Sequence, residues 1–299
     1  MNSKITIDTI IARYAHNLER IDIELIIAFV LEKDRAFVIT HADMNISEEK
    51  YNTIISLCEK RKTGYPLAYI TGYKDFFGRE FFISEDTLIP RSETELIISS
   101  VINNIKQQKI HDVLLCDIGT GSGVIPITIK KELEKEKINC SIIASDTSKH
   151  ALSIAQKNIK YYSIHDIVLY NTSLINDSVL DAVAQTKKQN IIITANLPYV
   201  DIKKREEFFT KKESQALKYE PSEALWSEDS GMKHYKKLIQ QLTILHTHVL
   251  PEKNISVFYE IDPNQSEELQ NYISERNPNS TILVFKDLSE RPRVIQWNI

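Results

Sequence analysis

Val113-Leu114-Leu115-Cys116-Asp117-Ile118-Gly119-Thr120-Gly121-Ser122-Gly123 reads as an apolar strand that closes on an acid, passes through a glycine loop and enters a helix running from Val124 to about Glu136. The chain has only seven glycines in 299 residues, and three of them stand within these five positions. Glycine permits positive φ and close backbone approach, so so sparing a use of it marks a place where the backbone itself is needed. A strand, a tight loop and a helix N-terminus present backbone N–H groups to a ligand. The spacing is D-x-G-x-G-x-G. It is neither the G-x-G-x-x-G of a dinucleotide site nor a P-loop, which would add a lysine and a serine or threonine. An acid at the strand end suits a ligand with an α-amino group and a carboxylate. The plain alternative is a strand–helix turn that needs small residues.

Downstream of this stretch, strands and helices alternate. Strands are expected at 112–118, 140–145, 167–170 and 190–195, with helices at 122–136, 148–161 and about 175–187. A loop-rich stretch to about 230 precedes a helix at 231–248, a strand at 255–260, a helix at 264–276 and two closing strands near 280–285 and 292–297. Such alternation implies a mostly parallel sheet covered by helices on both faces. The closing pair reads as a hairpin that brings in one antiparallel strand. Ligands of such sheets bind beyond the carboxyl ends of the strands.

Upstream, residues 1 to about 62 carry helical periodicity, with Ile7, Ile10, Ile11, Tyr14 and Leu18 on one face and Ile23, Ile26, Ile27 and Val30 on another. Ser47-Glu48-Glu49-Lys50 has the form of a helix N-terminus, and Arg61 to Pro66 ends the module with basic residues, Gly64 and Pro66. From Leu67 to Ile83 the pattern is β-like, with a hairpin expected near Gly78-Arg79. Ser92 is expected to cap a helix from about Glu93 to Gln107, with Glu95 closing a capping box. The organisation expected is a helical module over 1–66, a hairpin linker over 67–86 and an α/β domain over 87–299.

Composition is that of a globular protein, 42% hydrophobic and 26% charged, and the net charge of −4 displays no basic footprint for nucleic acid. Cys58, Cys116 and Cys140 lack metal-ligand spacing and read as buried thiols of a reducing compartment. With no leader-like N-terminus and no membrane-length apolar run, the expectation is a cytoplasmic protein without a bound metal.

Two further strand ends carry chemistry. Asp146 closes Ile142-Ile143-Ala144-Ser145 and could accept both hydroxyls of a ribose, or serve the following helix as a cap. After the third strand, Asn171-Thr172-Ser173-Leu174 has no acid to meet a base, so an adenine would rest on Asn171, Ser173 or Leu174. Asn196-Leu197-Pro198-Tyr199 follows the fourth strand. A planar NH2 group is a poor nucleophile because its lone pair is delocalised, as in a peptide bond. Acceptance of its two N–H hydrogens by the Asn196 side-chain oxygen and the Leu197 carbonyl would aim the lone pair at a methyl donor. Tyr199 could stack on the planar group, and Pro198 holds Leu197 extended.

The chain resembles the release-factor glutamine methyltransferases (the HemK/PrmC family) over most of its length. The matching stretches are Arg61-Lys62-x-Gly64-x-Pro66-Leu67-Ala68-Tyr69-Ile70-x-Gly72, Phe76-x-Gly78, Thr87-Leu88-Ile89-Pro90-Arg91-x-x-Thr94-Glu95, Asp117 to Gly123, Asp146, Asn196 to Tyr199, Tyr219-Glu220-Pro221-x-x-Ala224-Leu225 and Asp229-x-Gly231. The resemblance implies a class I S-adenosylmethionine-dependent methyltransferase: a Rossmann-like seven-stranded sheet with its last strand antiparallel, and a small N-terminal helical domain that engages class I peptide chain release factors. It implies N5-methylation of the glutamine amide in their Gly-Gly-Gln motif by a cytoplasmic monomer that contacts neither membrane nor nucleic acid directly. Carried over, Asp117, Gly119, Thr120, Gly121, Ser122, Gly123, Asp146, Leu174 and Asn196 contact the cofactor. Asn196, Leu197, Pro198 and Tyr199, with Pro90 and Arg91, hold the substrate. The family usually has proline at the position of Leu197, often an aromatic at Leu174, and a turn glycine at Glu290. Competing readings are an N6-adenine or N4-cytosine DNA methyltransferase, a dinucleotide oxidoreductase, and an inactive adaptor that binds release factors.

Overall fold

The computed structural model describes residues 5–210 and 212–299, which form two compact units. The first runs to Tyr73 and takes in the segment that ends at Tyr219; the second comprises Lys74–Thr210 and Glu220–Ile299.

The first unit is helical: α1 (Ile7–Tyr14), α2 (Arg20–Leu31), α3 (Arg35–Thr40), α4 (Glu48–Lys62) and α5 (Leu67–Thr71). Thr6 caps α1 in a capping box with Thr9, and Ser47 caps α4 as its sequence suggests. Ile7, Ile10, Tyr14, Ile23, Ile26, Ile27, Ile54 and Cys58 make one buried cluster. The β-like reading of 67–83 fails for its first five residues, which are α5. Pro66 stands at its N-cap and Gly72, at φ +74°, reverses the chain after it. The linker expected over 67–86 therefore divides, its start belonging to the helical unit. A linear reading also misses the return of the chain: Tyr219 packs edge-on against Tyr65 and donates to the Thr63 carbonyl at 3.1 Å.

The second unit begins within a hairpin of β1 (Tyr73–Phe76) and β2 (Arg79–Phe82), which precedes α6 (Glu95–Gln107). Ser92 and Glu95 do not form the expected capping box. Ser92–Thr94 is a 3-10 turn that delays the α-helix, and the Glu95 carboxylate accepts the Phe77 N–H at 2.8 Å instead. Then follow β3 (Asp112–Ile118), α7 (Val124–Lys135), β4 (Asn139–Asp146), α8 (Lys149–Tyr161), β5 (Ile167–Asn171), α9 (Asp177–Ala184) and β6 (Asn190–Ala195). The irregular stretch holds β7 (Val200–Asp201), α10 (Arg205–Phe208), α11 (Ser222–Leu225) and β8 (Trp226–Ser227). The chain closes with α12 (Lys233–Ile244), β9 (Asn254–Glu260), α13 (Ser266–Arg276), β10 (Thr281–Lys286) and β11 (Pro292–Asn298).

Seven strands form one sheet in the order β10-β11-β9-β6-β3-β4-β5. All pairings are parallel except those of β11, which runs antiparallel between β9 and β10. The central strands β3, β6 and β9 are buried on both faces, so they read as continuous apolar runs rather than alternating ones. Leu114, Cys116, Ile191 and Ile193 face the layer of α9, α12 and α13, while Val113, Leu115 and Ile192 face α6, α7 and α8. The chain leaves β3 toward β4 on one side, and β6 returns to its other side. This switch point opens a crevice at the carboxyl end of β3, where Gly119 begins.

Glu290, where a glycine was expected, does adopt left-handed backbone at φ +61°. Asp287 organises that turn, its carboxylate accepting the N–H groups of Ser289 and Arg291 and the Nε of Arg293. Among the described residues no helix is long and apolar enough to cross a membrane.

Candidate active site

A cavity of about 340 Å³ lies at the carboxyl ends of β3, β4, β5 and β6. The loop after β3 forms its floor. Gly119 and Gly121 hold φ +77° and +56°, and a Cβ on Gly119 would stand 3.0 Å from the Leu197 side chain. The glycine loop and the Asn196 segment are therefore in van der Waals contact, which brings the two motifs of the sequence into one site.

Asp146 faces this loop. One carboxylate oxygen accepts the Gly121 N–H at 2.8 Å and the other the Ser148 N–H at 2.9 Å. A carboxylate has about four acceptor positions, so acceptor capacity remains for a ligand hydroxyl. Burial pushes its pKa up, while the N–H groups of Ser148, Gly121 and Thr147 hold it down. The cap of the following helix comes from Ser148 and not from Asp146, the Ser148 hydroxyl accepting the Ala151 N–H. Leu174 is buried on the cavity wall, at φ +53°, with Thr172 and Ser173 beside it. Asn171 is not on the wall, because its amide donates to the carbonyls of Asp146 and Thr147.

At the other end Asn196, Leu197 and Pro198 line the cavity together with Pro90, Arg91 and Thr94. Both N–H bonds of the Asn196 amide are taken, one by the Thr94 hydroxyl at 3.1 Å and one by Glu260 at 3.0 Å. Its Oδ1 is thereby left as the acceptor without a donor among the described residues. Arg91 pairs with the buried Glu220 at 2.5 Å, and Glu220 also accepts the Ile89 N–H. This clasp ties the Ile89-Pro90-Arg91 segment to Glu220-Pro221 and explains why both stretches of sequence carry matching residues.

Leu197 keeps an N–H that proline would lack, and a buried N–H needs an acceptor. It finds the Tyr235 hydroxyl at 3.1 Å. That hydroxyl lies 3.0 Å from the Leu197 carbonyl and 2.5 Å from the Glu260 carbonyl. It has one proton, which the shorter contact claims, so the Leu197 carbonyl keeps acceptor capacity.

Three expected site residues stand behind the cavity rather than in it. Asp117 is fully buried, accepts the Thr194 hydroxyl at 2.6 Å and is pushed up to about 6 by burial. Gly123 is a packing glycine: its Cβ would meet Ile127 at 3.2 Å and Ala155 at 3.4 Å. Tyr199 turns its hydroxyl to Glu260 at 3.3 Å and is not among the residues on the cavity wall. Its carbonyl lies so near Gly231 that a Cβ at 231 would come within 1.9 Å, which accounts for the glycine of Asp229-x-Gly231.

The residues that sequence reasoning missed are Thr94, Tyr235, Glu260, and on the wall Glu223 and His234. Burial, with Lys233 and Lys237 nearby, holds the His234 imidazole below its ordinary pKa. Glu260 had a readable signal. It is the acid that closes the apolar run Ile255-Ser256-Val257-Phe258-Tyr259, the same pattern that marked Asp117 and Asp146.

The PrmC N-terminal domain family matches residues 12–72, and the methyltransferase small domain family matches 93–218. In solved structures the fold is shared with the hMettl16 catalytic domain in complex with MAT2A 3'UTR hairpin 1, at a TM-score of 0.53 and 15% identity, covering 75% of each chain. This is the class I methyltransferase fold. The release factor glutamine methyltransferase of Staphylococcus aureus is 32% identical over 234 residues, 78% of this chain and 76% of its own. That of Clostridium botulinum is 31% identical over 277 residues, 93% of this chain and 91% of its own. Similarity at this level, across helical module, glycine loop and Asn196 segment alike, means that the chain belongs to the release factor glutamine methyltransferase family.

Proposed function

We propose that this protein transfers a methyl group from S-adenosylmethionine to the side-chain amide nitrogen, N5, of the glutamine in the Gly-Gly-Gln motif of class I peptide chain release factors. The observation that carries the reading is the state of the Asn196 amide. With its NH2 group taken by Thr94 and Glu260, only the oxygen is left to meet a substrate. An amide NH2 is the complementary group, and the relatives' names specify glutamine.

S-adenosylmethionine would supply an electrophilic methyl on its sulfonium. Gly119, Thr120, Gly121 and Ser122 fit its amino-acid end, Asp146 its ribose hydroxyls, and Leu174 with Ser173 its adenine. The chain's own work lies at the nitrogen. Asn196 Oδ1 accepts one N–H of the glutamine amide and the Leu197 carbonyl the other. This holds the lone pair toward the methyl and favours the pyramidal nitrogen of the transition state. No strong base is needed, since the nitrogen becomes acidic once methylated and then gives its proton to solvent water. The N-terminal helical unit is assigned to engaging the release factor.

The test is mass spectrometry of a class I release factor incubated with the protein and methyl-labelled S-adenosylmethionine. The reading expects one labelled methyl on the glutamine of Gly-Gly-Gln. Label elsewhere, or none, would refute it.

A further inference from the structure

We propose that Glu260 is a positioning residue whose carboxylate fixes the Asn196 amide with its oxygen, not its NH2 group, toward the cavity. This rests on the methyl-transfer reading above and goes beyond it by assigning what sets the orientation of the acceptor.

An asparagine amide can turn over by half a rotation with little change of shape, exchanging a donor face for an acceptor face. A cavity lined by an asparagine is therefore not yet a site for an amide NH2; something must select the rotamer. Glu260 does so by being an acceptor only. It ends β9, is 1% exposed and stands 3.0 Å from Asn196 Nδ2. Rotation would set the Asn196 oxygen against a carboxylate oxygen at that distance, away from water, with like partial charges opposed. Thr94 alone would not select, because a hydroxyl can donate as readily as accept.

The carboxylate is itself oriented. Tyr199 donates to its second oxygen at 3.3 Å, and among the described residues no cation forms an ion pair with it. An ionised group buried without a counter-ion is expensive, which singles this one out as more than packing. The charged and titratable groups facing it are Glu93 on the turn before α6 and Arg293 on β11, with the phenols of Tyr199 and Tyr235. Burial, opposed by the hydroxyls of Thr94 and Tyr199, leaves Glu260 at about 7. Protonation would turn the acceptor into a donor, make the rotated amide acceptable, and so withdraw the acceptor from the substrate. Selection by Glu260 thus carries its own pH dependence.

The direct test is side-chain amide NMR of the whole protein labelled with 15N, followed between about pH 5 and about pH 9. It needs no methyl acceptor. In the unmodified protein the Asn196 NH2 signals should move through one titration near neutrality, and in Glu260→Gln they should not. Asn196 signals that stay put in the unmodified protein would overturn the proposal, whatever the behaviour of any variant. The kinetic counterpart uses saturating cofactor. Unmodified kcat should fall on the acid side of neutrality; Glu260→Gln should lose that limb and about tenfold in kcat, with the KM for cofactor unchanged. A variant that keeps both the limb and the kcat would also overturn it. Absence of transfer to release factor by the unmodified protein would refute the function reading alone, while the NMR titration still decides the role of Glu260.

Discussion

Replacing Asn196 by Asp exchanges the NH2 group that faces Glu260 for a second oxygen, at a place where the present separation is 3.0 Å. Two carboxylates that close repel by about 5 kcal/mol at an effective dielectric constant of about 20, equivalent to about four pH units. The pair cannot ionise twice near neutrality and keeps one shared proton. That proton restores the donor which the amide supplied, between residue 196 and Glu260, and leaves an oxygen of the new side chain facing the cavity. What is lost is the bond to Thr94, about 1 kcal/mol. Asn196→Asp should therefore retain kcat to within about tenfold and should invert its pH dependence: the acid limb set by Glu260 disappears, and activity declines instead on the alkaline side as the shared proton leaves. The assay is single-turnover methyl transfer from saturating S-adenosylmethionine across that pH range. An aspartate variant as inactive as Asn196→Ala at every pH, or one with the unmodified profile, would refute this account of the Asn196–Glu260 pair.

Asp146→Ala should weaken S-adenosylmethionine binding by roughly 1.5–3 kcal/mol, the scale of a charged hydrogen bond; calorimetry showing unchanged affinity would remove Asp146 from the ribose site. Gly231→Ala should destabilise the fold by about 3 kcal/mol or more, from the left-handed backbone and the bonds that Gln265 makes to the Tyr199 and Ser230 carbonyls. A near-neutral denaturant midpoint would contradict the close approach seen there. Glu260→Gln should stabilise the protein at alkaline pH. A carboxyl whose folded pKa is raised, here from 4.5 to about 7, favours folding while protonated and loses that contribution as pH rises through the folded value. The gap in stability between variant and unmodified protein should therefore widen from about pH 5 to about pH 8, by on the order of 3 kcal/mol. Urea titrations at the two pH values check it, and a gap that shrinks would refute the assignment.

The sheet was legible because burial on both faces turns its central strands into apolar runs, and each functional strand ends in a polar residue: Asp117, Asp146, Asn196. Glu260 repeats the pattern, but its role depends on a partner 64 residues away in sequence, and no local spacing encodes that. The same limit applies to Tyr235, whose hydroxyl accommodates the N–H that Leu197 brings in place of proline. Leu67–Thr71 was misread because a single helical turn contains too few residues to separate a period of 3.6 from one of 2. Ser92 and Glu95 have the spacing of a capping box, yet Glu95 is drawn to Phe77 across the hairpin, a tertiary contact that local propensity does not contain. Gly123 and Asp117 were expected to touch a ligand because they share a motif with residues that line the cavity. Their burial shows that part of the motif serves to build the loop.

The central claim is that a substrate amide is held by Asn196 Oδ1, and Asn196→Ala tests it most directly. With cofactor saturating and release factor as acceptor, single-turnover transfer should fall by on the order of 10²–10³, as for the loss of one preorganised hydrogen bond at a reacting centre, while the Kd for S-adenosylmethionine measured by calorimetry changes little. Near-normal transfer in that variant would contradict the claim.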